Sequence, residues 1–316
     1  MSNVLISGVN GFVGTNLAQF LGQRQYAIIP LSRTSEKQRQ SFTWDNIADI
    51  KGHDIEAIVH LAGKAHDIKN TSDANEYFEV NTALTKKLFD IFLQSKASTF
   101  VYLSSVKAAA DTVDGILDED VVPNPKTAYG QSKQKAEEYL LVQKLPAGKR
   151  LFILRPCMIH GPGNKGNLNL LYKVVRKGVP YPLAAYSNKR SFLSIDNLNF
   201  VIEKIISGQN IPGGVYNVAD DIALSTNNVI TIIAGVNNKK PKLWKVSPRM
   251  INFLAKAGDK LHLPLNSERL KKLTESYIVS NKKIRGALNI SQLPLSSTDG
   301  LKFRNDTPIS PDTFGA

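Results

Sequence analysis

Along the first 155 residues, short β-branched apolar runs alternate with stretches whose apolar residues recur every three to four positions. Runs at 4–7, 26–31, 55–61, 100–104 and 151–154 predict strands, and stretches at 12–22, 74–95 and 128–142 predict helices. Ala57-Ile58-Val59-His60-Leu61 is apolar at nearly every position, as a strand must be when both faces of its sheet are covered. Strands of this kind, separated by helices and joined by right-handed crossovers, imply an α/β fold with a doubly wound parallel sheet. After Pro156 the rhythm breaks. Gly161-Pro162-Gly163, Gly178, Pro180, Pro182 and Gly213-Gly214 punctuate short strands and helices at 197–206 and 228–234. The expected division is a doubly wound domain over 1–157 and a smaller, irregular α/β part over 158–316, with segments near 190–220 returning to the first. No internal repeat is visible, and only the last dozen residues read as poorly tied down.

Composition narrows the classes. The 316 residues are 42% hydrophobic, enough for a large core, and a single cysteine, Cys157, excludes an internal disulfide or a cysteine-built zinc site. A reducing, cytoplasmic setting is expected, with no metal. No apolar run approaches the roughly 20 residues that span a bilayer, and Met1 leads directly into Val4-Leu5-Ile6 without a signal-peptide layout. The net charge of +13 is uneven: residues 1–160 hold 18 Lys and Arg against 17 Asp and Glu, leaving 22 against 10 for the remainder. That imbalance suits an anionic ligand or surface. The basic residues are dispersed and no nucleic-acid motif accompanies them, so nucleic acid is not the expected partner.

Gly8-Val9-Asn10-Gly11-Phe12-Val13-Gly14 follows the first strand and opens the first helix. Gly8 permits the tight turn, Gly11 lets backbone amides approach a pyrophosphate, and Gly14 lets helix pack on strand, as in a Rossmann-like NAD(P)-binding turn. The second strand ends in Leu31-Ser32-Arg33-Thr34. No carboxylate stands there for a ribose 2′-hydroxyl, whereas Arg33 can pair with a 2′-phosphate, so NADP(H) is favoured over NAD. Tyr129 and Lys133 lie at i and i+4 on one helix face, and Ser105 closes the strand at 100–104. An ammonium near a phenol favours the phenolate, which predicts a Tyr129 pKa drawn down toward the working range and a proton exchanged with a carbinol or carbonyl oxygen.

At these residues the chain resembles the extended short-chain dehydrogenase/reductases, most of which act on nucleotide sugars, and the resemblance covers nearly the whole sequence. His60-Leu61-Ala62-Gly63 is similar to the family's strand end beneath the cofactor, and Asn81 to its active-site asparagine. Leu154-Arg155-Pro156 and His160-Gly161-Pro162-Gly163 resemble the stretch after its sixth strand. By the same resemblance Asn167 and Leu168 contact the nucleotide diphosphate, Arg190 clamps it, Arg269 is a second contact, and Asp45 touches the adenine. Lys64, Lys107 and His160 lie near the inferred site, and Lys107 is expected to contact the substrate. Helices like 74–95 and 128–142 commonly pair with their copies in this family, which implies a homodimer.

Elsewhere the local sequence implies structural roles: Asp196 is expected as a helix N-cap, His60 as a satisfied core histidine and Cys157 as an inert thiol. The stretch 243–261, which mixes apolar residues with Lys245, Arg249, Lys256 and Lys260, is assigned to packing against the body rather than to an anionic membrane surface.

Absences narrow the reaction that the resemblance implies. The family's 4,6-dehydratases place an acidic pair after the active-site Ser or Thr, and its 3,5-epimerase/reductases need a nearby cysteine, where this chain has Val106-Lys107. What remains is chemistry at C4: NADPH-dependent reduction of a UDP-4-keto-6-deoxy-hexosamine in surface-polysaccharide synthesis, or 4-epimerisation of a UDP-hexose with retained NAD. A cofactor-sensing protein without catalysis is opposed by the intact Ser105, Tyr129 and Lys133.

Overall fold

In a computed structural model, which describes residues 2–34, 40–65, 73–164, 167–261 and 266–302, the parallel sheet forms from strands that the apolar runs mark. In chain order the elements are β1 (Asn3–Ser7), α1 (Phe12–Gly22), β2 (Ala27–Ser32), β3 (Phe42–Thr43), β4 (Ala57–His60), α2 (Ala74–Phe78), α3 (Leu84–Gln94), β5 (Thr99–Leu103), β6 (Ile116–Leu117), α4 (Ala128–Val142) and β7 (Arg150–Pro156). There follow β8 (Met158–His160), α5 (Asn167–Arg176), β9 (Phe192–Ser194), α6 (Ile195–Ser207), β10 (Gly214–Val218), α7 (Thr226–Val236), α8 (Pro248–Leu261), α9 (Ser267–Thr274) and β11 (Ile278–Val279). Seven of the strands make one sheet in the order β10-β7-β5-β4-β1-β2-β3, every described pairing parallel.

Alternation within each strand builds two cores. Val4, Ile6, Val59, Val101, Phe152 and Leu154 face α1 and α6, where they meet Leu17, Leu21, Leu198 and Val201. Leu5, Ile58, Phe100, Tyr102 and Ile153 face α3 and α4, where they meet Leu88, Phe89, Phe92, Ala136 and Leu140. Each fully buried Leu, Ile or Phe contributes about 1.5–3 kcal/mol of transfer free energy, so both faces drive the same sheet. The strand order reverses direction at β1 and β4, and ligands of open α/β sheets bind outside the carboxyl ends of strands at such a switch point.

Beyond β7 the chain builds smaller clusters. Leu168, Tyr172, Val175, Phe192 and the apolar face of α7 form one; Leu183, Ile251, Ala255 and Leu270 form another. Of two short parallel pairs, β8 with β9 lies within this part, and β6 with β11 ties it to the chain between β5 and α4.

Two elements depart from expectation. The helix read over 74–95 is interrupted: α2 passes into a π-helical turn at Glu79–Ala83 before α3 begins. The cap of α6 is Ser194, whose Oγ accepts from the Asp196 amide at 3.3 Å, so Asp196 sits in the first turn instead of capping it. Ser194 wins because it is the last extended residue, as an N-cap must be.

Candidate active site

Three glycines shape the turn after β1. Gly8 has φ +72°, and a Cβ there would stand 2.7 Å from the Ala62 amide nitrogen; a Cβ on Gly14 would stand 2.2 Å from the Gly8 carbonyl oxygen. The turn is therefore pressed between β4 and α1 with no room for side chains. Asn10 and Gly11 remain exposed at its tip. Side chains of Asp73, Thr127, Ser225 and Asn266 cap other helices, but α1 has neither a side-chain cap nor an acidic residue in its first turn. Free first-turn amides at a positive helix end suit a dinucleotide pyrophosphate, so these residues fit the nicotinamide cofactor that the sequence implies. Phe12 and the partly buried Val13 begin α1 against the first core, and Gly161 closes over Phe12 and Ile195.

Beside this turn, β4 delivers Leu61, Ala62 and Gly63. The Leu61 and Ala62 amides donate to Ser7 Oγ at 3.2 and 3.1 Å, and Ser7 Oγ also meets His60 Nδ1 at 2.6 Å. His60 Nε2 meets Thr85 Oγ1 at 2.9 Å. Burial and then the Lys133 charge push its pKa down to about 3, so His60 is a satisfied neutral core group. A Cβ on Gly63 would lie 3.0 Å from Asn81 Oδ1 and 3.1 Å from Lys133 Nζ. The structure thus brings Gly63, Asn81 and Lys133 together. Asn81, fully buried in the π-helical turn, accepts from the Lys64 amide at 2.8 Å and donates to Ser132 Oγ at 2.9 Å.

Ser105 and Tyr129 approach from opposite sides. Ser105 leaves β5 as the cap of a 3-10 turn, Val106–Ala108, its Oγ accepting from the Lys107 amide at 3.2 Å. Tyr129 opens α4, capped by Thr127. The helix can start there because Gly130 lets it touch that turn: a Cβ would stand 2.5 Å from the Lys107 carbonyl oxygen and 2.7 Å from Pro125 Cβ. The phenol pKa is raised by burial, a hydrogen bond with Ser105 pulls it down, and Tyr77, ring to ring at 6.3 Å, pushes it up. This corrects the expected depression by Lys133. The Lys133 ammonium is committed elsewhere, donating to the Leu103 carbonyl at 2.9 Å over the face of Tyr102. Burial brings Lys133 down to about 8, opposed by Glu137.

Glu137 escaped the sequence reading, although it continues the stripe of Tyr129 and Lys133 at a further four residues. It is buried, takes Arg155 Nε and Nη2 on both carboxylate oxygens at 2.5–3.1 Å, and accepts from Ser104 Oγ. Tyr277 escaped as well. Its hydroxyl donates to the Ala110 carbonyl at 2.6 Å, and Lys107 Nζ lies 4.3 Å above its ring. Burial lowers the Lys107 pKa, Asp111 and Glu275 raise it, and Arg190 and Lys272 lower it further, so Lys107 and Arg190 share one electrostatic neighbourhood. Arg190 itself donates to the carbonyls of Glu275, at 3.2 Å, and Lys272.

Ser32 ends β2, its Oγ donating to the Thr34 carbonyl, and Arg33 follows it, exposed. Asp45 is exposed beyond β3. Asn167 starts α5. Leu168 follows it, its side chain buried with Tyr172 and Val175. Arg269 is exposed on α9, and it is the later Lys272 and Glu275 that meet Arg190. Residues 66–72, which follow Lys64 in the sequence, lie outside the described residues. No group of His, Cys, Asp and Glu able to hold a metal occurs among the described residues, and burial pushes the Cys157 thiol up.

The chain is similar in sequence to relatives named for their activities. The chain is 31% identical over 245 residues to the UDP-glucose 4-epimerase of Vibrio cholerae, covering 73% of this chain and 75% of that one. It is 23% identical over 261 residues to the GDP-6-deoxy-D-mannose reductase of Pseudomonas aeruginosa, covering 78% and 84%. The fold matches a UDP-N-acetylglucosamine 4-epimerase from Bacillus cereus with a TM-score of 0.75 at 19% identity, over 96% and 97% of the two chains. Similar folds include a Bacillus cereus epimerase holding NAD, at TM-score 0.71, and a Pseudomonas aeruginosa protein holding NADPH, at 0.69, each 18% identical and covering 96% of this chain and 97% of its own. A model of the NAD dependent epimerase/dehydratase family matches residues 4–219. With the glycine turn, the buried asparagine and the Ser105, Tyr129, Lys133 set all falling inside that span, the chain belongs to the NAD dependent epimerase/dehydratase family, the extended short-chain dehydrogenase/reductases.

Proposed function

We propose that this enzyme carries out redox chemistry at C4 of a nucleotide-activated hexose, and that its turnover is the NADPH-dependent reduction of a UDP-4-keto-6-deoxy-hexosamine. The observation that carries the C4 chemistry is the convergence of Ser105, Tyr129, Lys133, Asn81 and Gly63 beside an uncapped glycine turn. The cofactor, held by Gly8, Gly11, Gly14 and the 61–63 strand end, supplies the hydride when bound. Tyr129 donates the proton to the oxygen that becomes an alkoxide, and its raised pKa keeps the phenol protonated for that role. Ser105 hydrogen-bonds the same oxygen. Lys133 holds the ribose side of the site, and the Lys107 and Arg190 cations receive the substrate diphosphate. In this reading residues 1–157 carry the cofactor, 158–316 carry the nucleotide sugar, and two copies pair through α3 and α4.

Arg33, exposed at the end of β2 where no carboxylate stands, supports the phosphate-bearing cofactor. A second reading, 4-epimerisation with retained NAD, is favoured by the 31% identity to a UDP-glucose 4-epimerase. One titration separates them. Tighter binding of NADPH than NADH by tenfold or more, about 1.4 kcal/mol, with turnover of UDP-4-keto sugars, supports reduction. Co-purifying NAD with interconversion of UDP-glucose and UDP-galactose supports epimerisation, and neither activity overturns both.

A further inference from the structure

α8 meets the body of the protein along one narrow stripe. Ile251, Ala255 and Gly258 are buried, and the first two pack only with Leu183, Leu270 and their small cluster. The assignment of the whole 243–261 stretch to packing therefore accounts for a third of the helix surface. At 100° per residue, Met250, Leu254, Ala257 and Leu261 fall on a second stripe beside the buried one. Around the half-buried Ala257 the side chains are apolar yet face water: Met250 is 52% and Leu261 68% exposed, with Phe253 at 71% on the outer flank and Trp244 at 58% just before the helix. Arg249, Lys256 and Lys260 form a third stripe on the far side of Phe253, all exposed.

Such a continuous exposed apolar surface marks an interaction site, and its charge names the occupant. Residues 239–272 hold ten Lys and Arg against two Asp and Glu. Both acids are already engaged, Asp259 by Ser267 and Glu268 by Lys272. A symmetric contact with a second copy would bring Arg249, Lys256 and Lys260 toward their own images, which like-charge repulsion opposes. A surface of anionic lipid accepts both stripes at once, apolar side chains entering at the headgroup boundary and lysines at the phosphates. We propose that α8 is an interfacial helix that lays this protein on an anionic phospholipid surface. No described helix is long and apolar enough to cross a membrane, so attachment is by lying on it. α9 packs on α8 and carries the Lys272 carbonyl that holds Arg190, so the docked surface is one helix away from the candidate diphosphate site.

The test uses the full chain with vesicles of phosphatidylcholine alone or containing roughly 30% phosphatidylglycerol. The bound fraction after sedimentation should rise about tenfold on the anionic vesicles near 0.1 M salt and fall severalfold near 0.5 M, where the Debye length is halved. In a Trp44→Phe background, Trp244 emission should shift to the blue on binding. Met250→Ser with Phe253→Ser, and separately Lys256→Glu with Lys260→Glu, should each abolish vesicle binding while turnover of soluble substrate is unchanged. Equal binding to both vesicle types, or unchanged binding by the variants, overturns the proposal. So does a dimer in light scattering that Phe253→Ser dissociates while vesicles capture nothing.

Discussion

The ammonium of Lys133 donates to the carbonyl oxygen of Leu103 at 2.9 Å, from a position one helical turn beyond Tyr129. The last residue of β5 thus anchors the lysine to the same strand end from which Ser105 emerges. A buried lysine at about 8 instead of 10.5 binds fewer protons folded than unfolded between those values. Stability of the cofactor-free protein should therefore rise with pH above about 8, by at most ~1.4 kcal/mol per unit. Buried phenols such as Tyr102, pushed up by desolvation, reverse the slope above about 10. Denaturant titrations at pH 7.5 to 9.5 should show the rise in wild type and a flatter profile in Lys133→Met.

Tyr129→Phe removes the phenolic proton but keeps the ring packed against Tyr77. Turnover should fall by about 10²–10⁴, with NADPH or NADH affinity within threefold of wild type by fluorescence titration. Turnover close to wild type would leave the proton donor elsewhere.

His60 is neutral in the fold down to about pH 3 and titrates near 6.5 when unfolded. Its contribution is complete above the unfolded value and is lost as pH falls from about 6.5. The stability gap between wild type and His60→Gln should close by about 2 kcal/mol between pH 6.5 and 5, as read from urea midpoints at each pH.

Glu137 and Arg155 are both buried, so removing one leaves the other charge unmatched. Glu137→Leu alone should cost about 3–5 kcal/mol, and Glu137→Leu with Arg155→Met should recover most of it. A double variant as unstable as the single one would mean that the pair does more than neutralise itself, for instance through Ser104.

Two glycines separate close approach from mere flexibility. Gly130→Ala drives a methyl into the Lys107 carbonyl and Pro125, and should cost about 1–3 kcal/mol while cutting turnover at least tenfold through the Ser105 and Tyr129 spacing. Gly235→Ala, exposed in α7 with nothing within 4 Å of its Cβ, should stabilise by about 0.5–1 kcal/mol. Thermal melts and steady-state rates of the two variants give the comparison.

Apolar periodicity was enough to read β1, β4, β5, α1 and α4, because a strand buried on both faces and a helix covering it leave little freedom in composition. The chemistry at Ser105, Tyr129 and Lys133 was legible for the same reason: the residues sit at element ends whose positions the pattern fixes. The direction of the Tyr129 shift was not, since it depends on where the Lys133 ammonium goes, and that is decided by a carbonyl thirty residues away. Glu137 was hidden because a carboxylate on a helix normally faces water; only its Arg155 partner on β7 makes burial tolerable. The π-helical turn carries no apolar signature at all.

That turn, Glu79–Ala83, also makes chain length matter here in a way that residue identity does not. A π-helical turn holds one residue more than the regular helix around it. Deleting one residue from it would restore an unbroken helix with α2 and α3 still on their present faces, because the wide turn is what absorbs the extra residue. Leu88, Phe89 and Phe92 would keep their places in the core, while the turn that carries Asn81 to Ser132 and to the Lys64 backbone would be gone. The extra residue is therefore kept for the site and not for the fold: a chain without it would still cover the sheet with α3 but would lose the asparagine held beside Gly63 and Lys133.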